Sequence, residues 1–174
     1  MASTSMLALL NDKFAACLIK GTSVRESGLT VSTETFPGET ILFFHTDCDE
    51  GRQNLNMISA GLKICDYLIL YTKDSEPKEI VCFLELKGKK LEDAIRQVLS
   101  TRESLQALAI EEINRKHHQY ITWKVCICLH GHAPRPGQHN IDELIKKFGK
   151  NNILIKHGMK QYKLLGSFLR EQTM

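Results

Sequence analysis

Three charged residues stand at the ends of two apolar segments that otherwise contain almost no charge. Asp66 precedes the apolar segment 67–71, and Glu85 and Lys87 lie at the end of the segment 80–87. Taking an ionised carboxylate or ammonium group out of water costs on the order of several kcal/mol unless a partner or a metal ion compensates. The positions of these three residues therefore indicate a functional site. The alternative is structural: Glu85 and Lys87 form an ion pair on one face at a strand end, and Asp66 caps a turn.

The two carboxylates and the amine suit the hydrolysis of a phosphodiester bond. Carboxylates that are held close together repel each other and need a cation between them, and hard oxygen ligands suit Mg²⁺. The backbone carbonyl of Leu86 can add a third oxygen. Because side chains alternate along a strand, Lys87 shares a face with Glu85, where its ammonium group can orient a water or stabilise charge on a phosphate.

A β-hairpin would bring these residues together. The polar, turn-rich segment 72–78 separates the two apolar segments, which is typical of two antiparallel strands. Asp66 begins the first strand and Glu85 ends the second, so both carboxylates are expected at the same end of the sheet. An amphipathic helix is predicted directly after Gly88, and Gln97 is expected away from its apolar stripe, which consists of Leu91, Ala94, Ile95, Val98 and Leu99.

The remaining periodicity predicts a single mixed α/β domain over residues 1–174, with a central mixed sheet flanked by helices. Residues 22–40 are rich in Ser, Thr and Glu, and Pro37-Gly38 marks a turn before the apolar Ile41–Phe44, a stretch expected to form a strand or hairpin that leads into an acidic loop over Asp47–Glu50. We also expect the following elements: a helix over Met6–Lys20, a further helical pattern over Leu105–Ile113, a strand over Ile121–Leu129, a helix over Ile141–Phe148 capped by Asn140 and stopped by Gly149, a strand over Ile153–Lys156 and another over Tyr162–Leu165.

The composition excludes several classes of protein. The 174 residues are 43% hydrophobic and 25% charged, which excludes collagen-like, low-complexity and disordered chains. No apolar stretch is long enough to span a membrane, so we expect a soluble protein with no membrane partner. Six cysteines without a CxxC pair or an export signal predict buried thiols and a reducing, cytoplasmic location.

The charge is distributed unevenly along the chain. Residues 1–114 contain 12 basic and 17 acidic residues, a net charge of −5, whereas residues 115–174 contain 11 basic and 3 acidic residues, a net charge of +8. The basic C-terminal third can supply contacts to the phosphates of a nucleic acid. A solvated surface without a ligand would show the same composition, so both interpretations stay open.

The functional residues occur in an order that resembles a known family, the PD-(D/E)xK nuclease superfamily with the restriction-endonuclease-like fold. The resemblance covers residues 60–100, and the predicted order of helices and strands is similar to the core of that fold. The motif consists of Cys65-Asp66, then Glu85-Leu86-Lys87-Gly88, then a helix that carries Gln97.

The resemblance implies roles for the individual residues. Asp66 and Glu85 would be metal ligands, Lys87 the catalytic lysine, and Gln97 a contact to the phosphate or a support of the site. Cys65 stands where the family has the proline of its name. Many branches place a further acidic residue on the first helix, where this chain offers only Asp12, and Glu26 lies beyond that helix.

The function implied is that of a Mg²⁺-dependent nuclease, with Mn²⁺ as a substitute, that cleaves DNA in defence, repair or recombination. A domain with one site would cut both strands of a duplex most easily as a symmetric homodimer. The alternative is a catalytically silent member of the same fold, a binding or inhibitor protein that acts through protein or nucleic-acid contacts.

Other candidate residues carry weaker signals. His130, His132 and Arg135 lie in a loop rich in glycine and proline, where they can contact a nucleic acid or can simply be exposed. His45 and Cys48 could meet the two loop histidines in a zinc site, although their spacing does not require one. The single tryptophan, Trp123, lies in an apolar strand and is expected to pack in the core.

Overall fold

Helices and strands alternate through the part of the chain that the computed structural model describes, residues 5–58, 62–87, 90–131, 137–158 and 161–171. The helices are α1 (Met6–Lys13), α2 (Asp49–Asn54), α3 (Leu91–Glu112), α4 (Gln138–Phe148) and α5 (Leu165–Arg170). Short 3₁₀ helices span Ala15–Cys17, Arg115–Tyr120 and Lys150–Asn152. The strands are β1 (Leu18–Ile19), β2 (Ser23–Glu26), β3 (Leu29–Ser32), β4 (Glu39–His45), β5 (Tyr67–Lys73), β6 (Glu76–Lys87), β7 (Ile121–Leu129), β8 (Ile153–His157) and β9 (Gln161–Tyr162).

The central sheet is mixed and has six strands in the order β1-β4-β5-β6-β7-β8. Strands β4, β5 and β6 are antiparallel neighbours, whereas β6, β7 and β8 run parallel. Helices α3 and α4 make the crossover connections that parallel strands require. In the hairpin β5–β6, Tyr67 lies opposite Leu84. The start of β5 therefore lies beside the end of β6, and the predicted mixed α/β class is confirmed.

Two apolar cores cover the two faces of this sheet. Helices α1, α3 and α4 pack on one face, where Val81 and Phe83 of β6 point. The small sheet β2-β3-β9 and helix α5 pack on the other face, together with Cys82 and Leu84 of β6. Because side chains alternate along the strand, Glu85 and Lys87 lie on the same face as Val81 and Phe83, the face covered by the helices.

Helix α3 runs without a break from Leu91 to Glu112 and unites the two helical patterns of the sequence. Its buried stripe continues from Ala94 and Val98 through Leu105 to Ala109, so one helix face stays against the core throughout. The buried side of α3 contacts strand β6 and includes Gln97.

The first helix is shorter than its periodicity predicts. Helix α1 ends at Lys13, and the chain continues through a 3₁₀ helix into β1. Leu18 pairs with Phe44 of β4 at the edge of the central sheet. The prediction of a helix to Lys20 was wrong because backbone pairing with β4 replaces the last helical turns.

The segment predicted as an acidic loop contains the start of a helix. Helix α2 begins at Asp49, and the Sγ of Cys48 accepts a hydrogen bond from the backbone N–H of Gly51. Asp49 and Glu50 lie in the first helical turn, where the helix dipole favours negative charge. The high acidity of this segment therefore marks a helix N-terminus.

The C-terminal part departs from the prediction at two places. Helix α4 already begins at Gln138, so Asn140 lies inside the helix and does not cap it, whereas Gly149 ends it as predicted with φ of 80°. Strand β9 covers only Gln161–Tyr162 and pairs with β3, the chain turns at Lys163 and Leu164, and helix α5 begins at Leu165, where the predicted strand was to end. No helix within the described ranges is both long and apolar enough to cross a membrane.

Candidate active site

The hairpin β5–β6 brings Asp66, Glu85 and Lys87 together at one end of the central sheet. The backbone N–H of Asp66 donates to Glu85 Oε2 at 3.1 Å, and Asp66 Oδ2 accepts from the backbone N–H of Leu86 at 2.7 Å. Lys87 Nζ lies 3.4 Å from Glu85 Oε1. The three side chains that the sequence singled out are thus direct neighbours.

Helix α3 adds Gln97 to this group. The amide oxygen of Gln97 accepts a hydrogen bond from Lys87 Nζ at 2.5 Å, and its amide nitrogen donates to the carbonyl of Ile64 at 2.8 Å. Gln97 is only 5% exposed, so both contacts are shielded from water. It connects the lysine to the segment that leads into Asp66.

The backbone before Asp66 is fixed from two sides. Thr46, just after β4, donates its N–H to the Asp66 carbonyl at 3.0 Å and its hydroxyl to the Cys65 carbonyl at 2.6 Å. From the helix side, Thr101 Oγ1 accepts from the backbone N–H of Cys65 at 2.8 Å. The contacts define where β5 begins and therefore where the Asp66 carboxylate is placed.

The site disfavours negative charge on its own carboxylates. Glu85 is fully buried, and burial, together with the nearby Asp66 carboxylate, raises its pKa to about 8 against the opposing attraction of Lys87. Burial also raises the pKa of Asp66 to about 6, although the hydrogen bond from Leu86 opposes the shift. Within the described residues, Glu85 Oε1 is buried without a hydrogen bond. A cation bound here would relieve these costs.

A backbone oxygen faces the same space. The carbonyl of Lys87 points to β7, where it accepts from the N–H of His130 at 3.0 Å. Successive carbonyls along a strand point to opposite sides, so the carbonyl of Leu86 faces the side where Asp66 lies. Asp66, Glu85 and this carbonyl are oxygen donors of the kind that hard divalent ions prefer. No cluster of three or more His, Cys, Asp or Glu side chains suited to a metal occurs in the described part.

Two further carboxylates act on the site electrostatically. Glu26 at the end of β2 and Asp47 after β4 both raise the pKa of Asp66. Glu26 Oε2 accepts from the hydroxyl of Tyr67 at 3.4 Å, and Asp47 pairs with Arg52. The additional acidic residues that act on the site thus come from the β2–β3 hairpin and from the segment after β4.

The candidate on the first helix, Asp12, has a different environment. The Asp12 side chain is 76% exposed, and its Oδ2 lies 3.8 Å from Nζ of Lys13 in the same helix. Glu26 was not predicted as a site residue, although the following Ser27-Gly28 pair is typical of a hairpin turn. Both have positive φ angles in the turn between β2 and β3, which places the preceding residue near the hairpin tip.

The candidate nucleic-acid contacts are only partly within the described ranges. His130 follows β7 and is bonded through its N–H to the end of β6, so it lies at the rim of the site. Its ring lies beside the β2–β3 turn, since a Cβ atom on Gly28 would be 4.0 Å from His130 Cδ2. His132 and Arg135 lie outside the described residues.

The residues considered for a zinc site have other partners. The ring of His45 lies 5.3 Å from the ring of Tyr67, centroid to centroid. Cys48 Sγ contacts Cys17 Sγ. The tryptophan, Trp123, stacks on Phe83 with 6.0 Å between ring centroids and packs against the helix-side core, as predicted.

One of the basic residues of the C-terminal third cannot contact a nucleic acid. Lys124 is fully buried, and its Nζ donates to the carbonyls of Phe168 and Glu171 at 2.5 and 2.8 Å. It thereby holds helix α5 against the sheet. Exposed lysines such as Lys146 and Lys150 still provide positive surface charge in this region.

Comparison of the chain with protein-family models, with curated proteins and with solved structures finds no match. Two features of the molecule therefore indicate its function: the geometry of the site and the order of its residues in the chain. Both concern the same four side chains: Asp66, Glu85, Lys87 and Gln97.

Proposed function

We propose that this chain is a nuclease that uses a divalent metal ion, Mg²⁺ or in its place Mn²⁺, to hydrolyse phosphodiester bonds in DNA. The observation that carries the proposal is the convergence of Asp66, Glu85 and Lys87 at one end of the sheet, where the buried Glu85 carboxylate pairs with the Lys87 ammonium group at 3.4 Å and accepts the backbone N–H of Asp66. The resemblance of their order to the PD-(D/E)xK pattern supports the same function.

Asp66, Glu85 and the carbonyl of Leu86 would hold the metal ion. When bound, such an ion acts as a Lewis acid on a phosphoryl oxygen and lowers the pKa of a water. Because the pKa values of Asp66 and Glu85 are raised to about 6 and about 8, ion binding must displace protons from these groups. We therefore expect metal affinity to depend on pH.

Lys87 is positioned to act on the attacking water or on the phosphate. Two contacts, to Glu85 Oε1 and to Gln97 Oε1, hold its ammonium group at the end of β6. An ammonium group has three N–H donors, so it can reach a further acceptor. Its side chain is 27% exposed and therefore accessible to a substrate from solvent. Positive charge here stabilises the negative charge that develops on the phosphoryl oxygens.

The chain contains one such site among its described residues. One site cuts one strand, so cleavage of both strands of a duplex is expected to require two copies, most simply in a symmetric dimer. Exposed lysines of α4 and the following turn, together with His130 at the rim, are candidate contacts to the phosphate backbone.

The test is a cleavage assay with a matched lysine control. Purified wild-type protein is incubated with supercoiled plasmid, linear duplex, branched junction and RNA, with Mg²⁺, with Mn²⁺ and with chelator. Lys87→Ala should lower the cleavage rate by roughly 10²–10⁴, as expected for loss of a group that acts in the transition state. Lys73→Ala, at the opposite end of β5 in an exposed pair with Glu76, should leave the rate unchanged.

Circular dichroism must show that both variants are folded. Equal rates for wild type and Lys87→Ala would contradict the proposal, because cleavage would then come from another site or from a contaminant. Absence of metal-dependent cleavage on every substrate would favour a catalytically silent binding protein.

A further inference from the structure

Two cysteines that lie far apart in the sequence are in direct contact beside the edge of the central sheet. The Sγ atoms of Cys17 and Cys48 are 2.9 Å apart, closer than an ordinary van der Waals contact between sulfur atoms. Cys17 ends the 3₁₀ helix after α1, and Cys48 precedes α2. A disulfide bond is about 2.0 Å long, so bond formation requires an approach of roughly 1 Å, shared between two side chains.

The environment of this pair differs from that of the other cysteines. Cys65, Cys82, Cys126 and Cys128 are buried and at most 2% exposed, whereas Cys48 is only partly buried. Cys126 and Cys128 also approach each other, at 3.8 Å, but inside the core under the small sheet. Among these six, Cys48 combines a sulfur neighbour with access from solvent.

The contacts of the pair also indicate which sulfur reacts first. Cys48 is only partly buried, and its Sγ accepts a hydrogen bond from the backbone N–H of Gly51 at 3.3 Å, whereas Cys17 is 4% exposed. Burial and the adjacent Cys48 raise the pKa of Cys17 to about 12, so Cys17 keeps its proton. Cys48 is therefore the nucleophile that meets an external oxidant, and Cys17 is the resolving thiol.

We propose that Cys17 and Cys48 form a reversible disulfide and constitute a redox-sensitive modification site. With a small disulfide such as glutathione disulfide as the oxidant, the Cys48 thiolate attacks one glutathione sulfur and releases the other glutathione as a thiol. Cys17 then attacks Cys48 Sγ, loses its proton and releases the second glutathione. The two cysteines are oxidised, one glutathione disulfide is reduced to two glutathione thiols, and the two thiol protons leave with them.

The bond would join two segments that border the candidate active site. It would close a loop that contains β2, β3 and β4, and hence Glu26 and Thr46. The disulfide would form whether or not the chain cleaves nucleic acid, because only the two sulfur atoms and the oxidant take part.

The test counts thiols in the folded, full-length protein. Reduced protein is freed of reductant, exposed to excess glutathione disulfide, denatured and alkylated with N-ethylmaleimide. The reduced chain takes six adducts, one for each cysteine, and the oxidised chain should take two fewer. Trypsin digestion without reductant should give peptide 14–20 joined to peptide 26–52, and dithiothreitol should separate them and restore all adducts.

Variants make the assignment specific. Cys48→Ala should abolish the joined peptide, whereas Cys82→Ala, which changes a buried cysteine away from the pair, should retain it. The proposal is overturned if folded wild type keeps all six adducts in excess oxidant. It is equally overturned if a glutathione adduct on Cys48 accumulates without the joined peptide, or if the joined peptides contain other cysteines.

Discussion

Glu85→Gln should stabilise the metal-free protein, and the gain should increase with pH. Burial raises the pKa of Glu85 from 4.5 to about 8. At a pH between 4.5 and 8, Glu85 is therefore protonated in the native protein and ionised in the unfolded chain. The contribution of Glu85 to the stability of wild type is therefore largest below pH 4.5 and is lost as the pH rises through 8, where the buried group must ionise. Glutamine cannot ionise, so the variant avoids this loss.

The size of the effect follows from the pKa shift. One pKa unit corresponds to about 1.4 kcal/mol, and the protons bound in the two states can be integrated over the pH range. Between pH 5 and pH 9 the stability of wild type relative to Glu85→Gln should fall by about 4 kcal/mol. The attraction of Lys87 for Glu85 is already contained in this value because it is one of the causes of the shifted pKa.

Urea unfolding measures this difference. The single tryptophan, Trp123, lies in β7 against Phe83 and reports on the packing of the central sheet. The free energy of unfolding is determined at pH 5, 7 and 9 with a chelator present. Glu103→Gln serves as the control, since Glu103 is 61% exposed in a pair with Lys147 and its charge stays in water. A difference between Glu85→Gln and wild type that does not change with pH would refute the reasoning.

Three further predictions concern the metal, the helix contact and the C-terminal helix. Calorimetry should show that Mg²⁺ binds more tightly at pH 8 than at pH 6, since protons compete for the carboxylates, and that Asp66→Asn weakens binding at both pH values. Gln97→Leu should lower the cleavage rate by roughly 10–100-fold in a folded protein, because Lys87 loses a contact that orients it. Glu39→Gln should lower the free energy of unfolding by about 2 kcal/mol at pH 7 because Arg170 donates two hydrogen bonds to Glu39. That loss should be smaller at pH 3, since the native pKa of Glu39 is about 2 and the paired charge is lost as the pH falls through that value.

The central part of the site could be predicted from the sequence because it depends on local rules. An apolar run, a polar turn and a second apolar run specify an antiparallel hairpin, and alternation then fixes the faces of Glu85 and Lys87. These predictions required no information about distant parts of the chain. Gln97 did not follow from the same rules, because the pattern of α3 places it away from the apolar stripe, whereas the structure buries it to 5% exposure. Only the resemblance to the nuclease family assigned it to the site.

The rest of the site depends on contacts between distant segments. Glu26 approaches Asp66 because the small sheet β2-β3-β9 packs on the second face of the central sheet, and β9 is more than 120 residues away from β3 in sequence. Helix α5 was missed for a similar reason. Its apolar residues suit a strand as well as a helix, and the choice is made by packing and by Lys124, which binds the carbonyls at its end.

Anomalous diffraction from crystals soaked in Mn²⁺ tests the central claim most directly. We predict an anomalous peak roughly 2.0–2.3 Å from one carboxylate oxygen each of Asp66 and Glu85 and from the carbonyl oxygen of Leu86, with the peak absent in Asp66→Asn. A saturating soak that leaves this end of the sheet without a peak, or that places the ion away from both carboxylates, would contradict the proposed metal site.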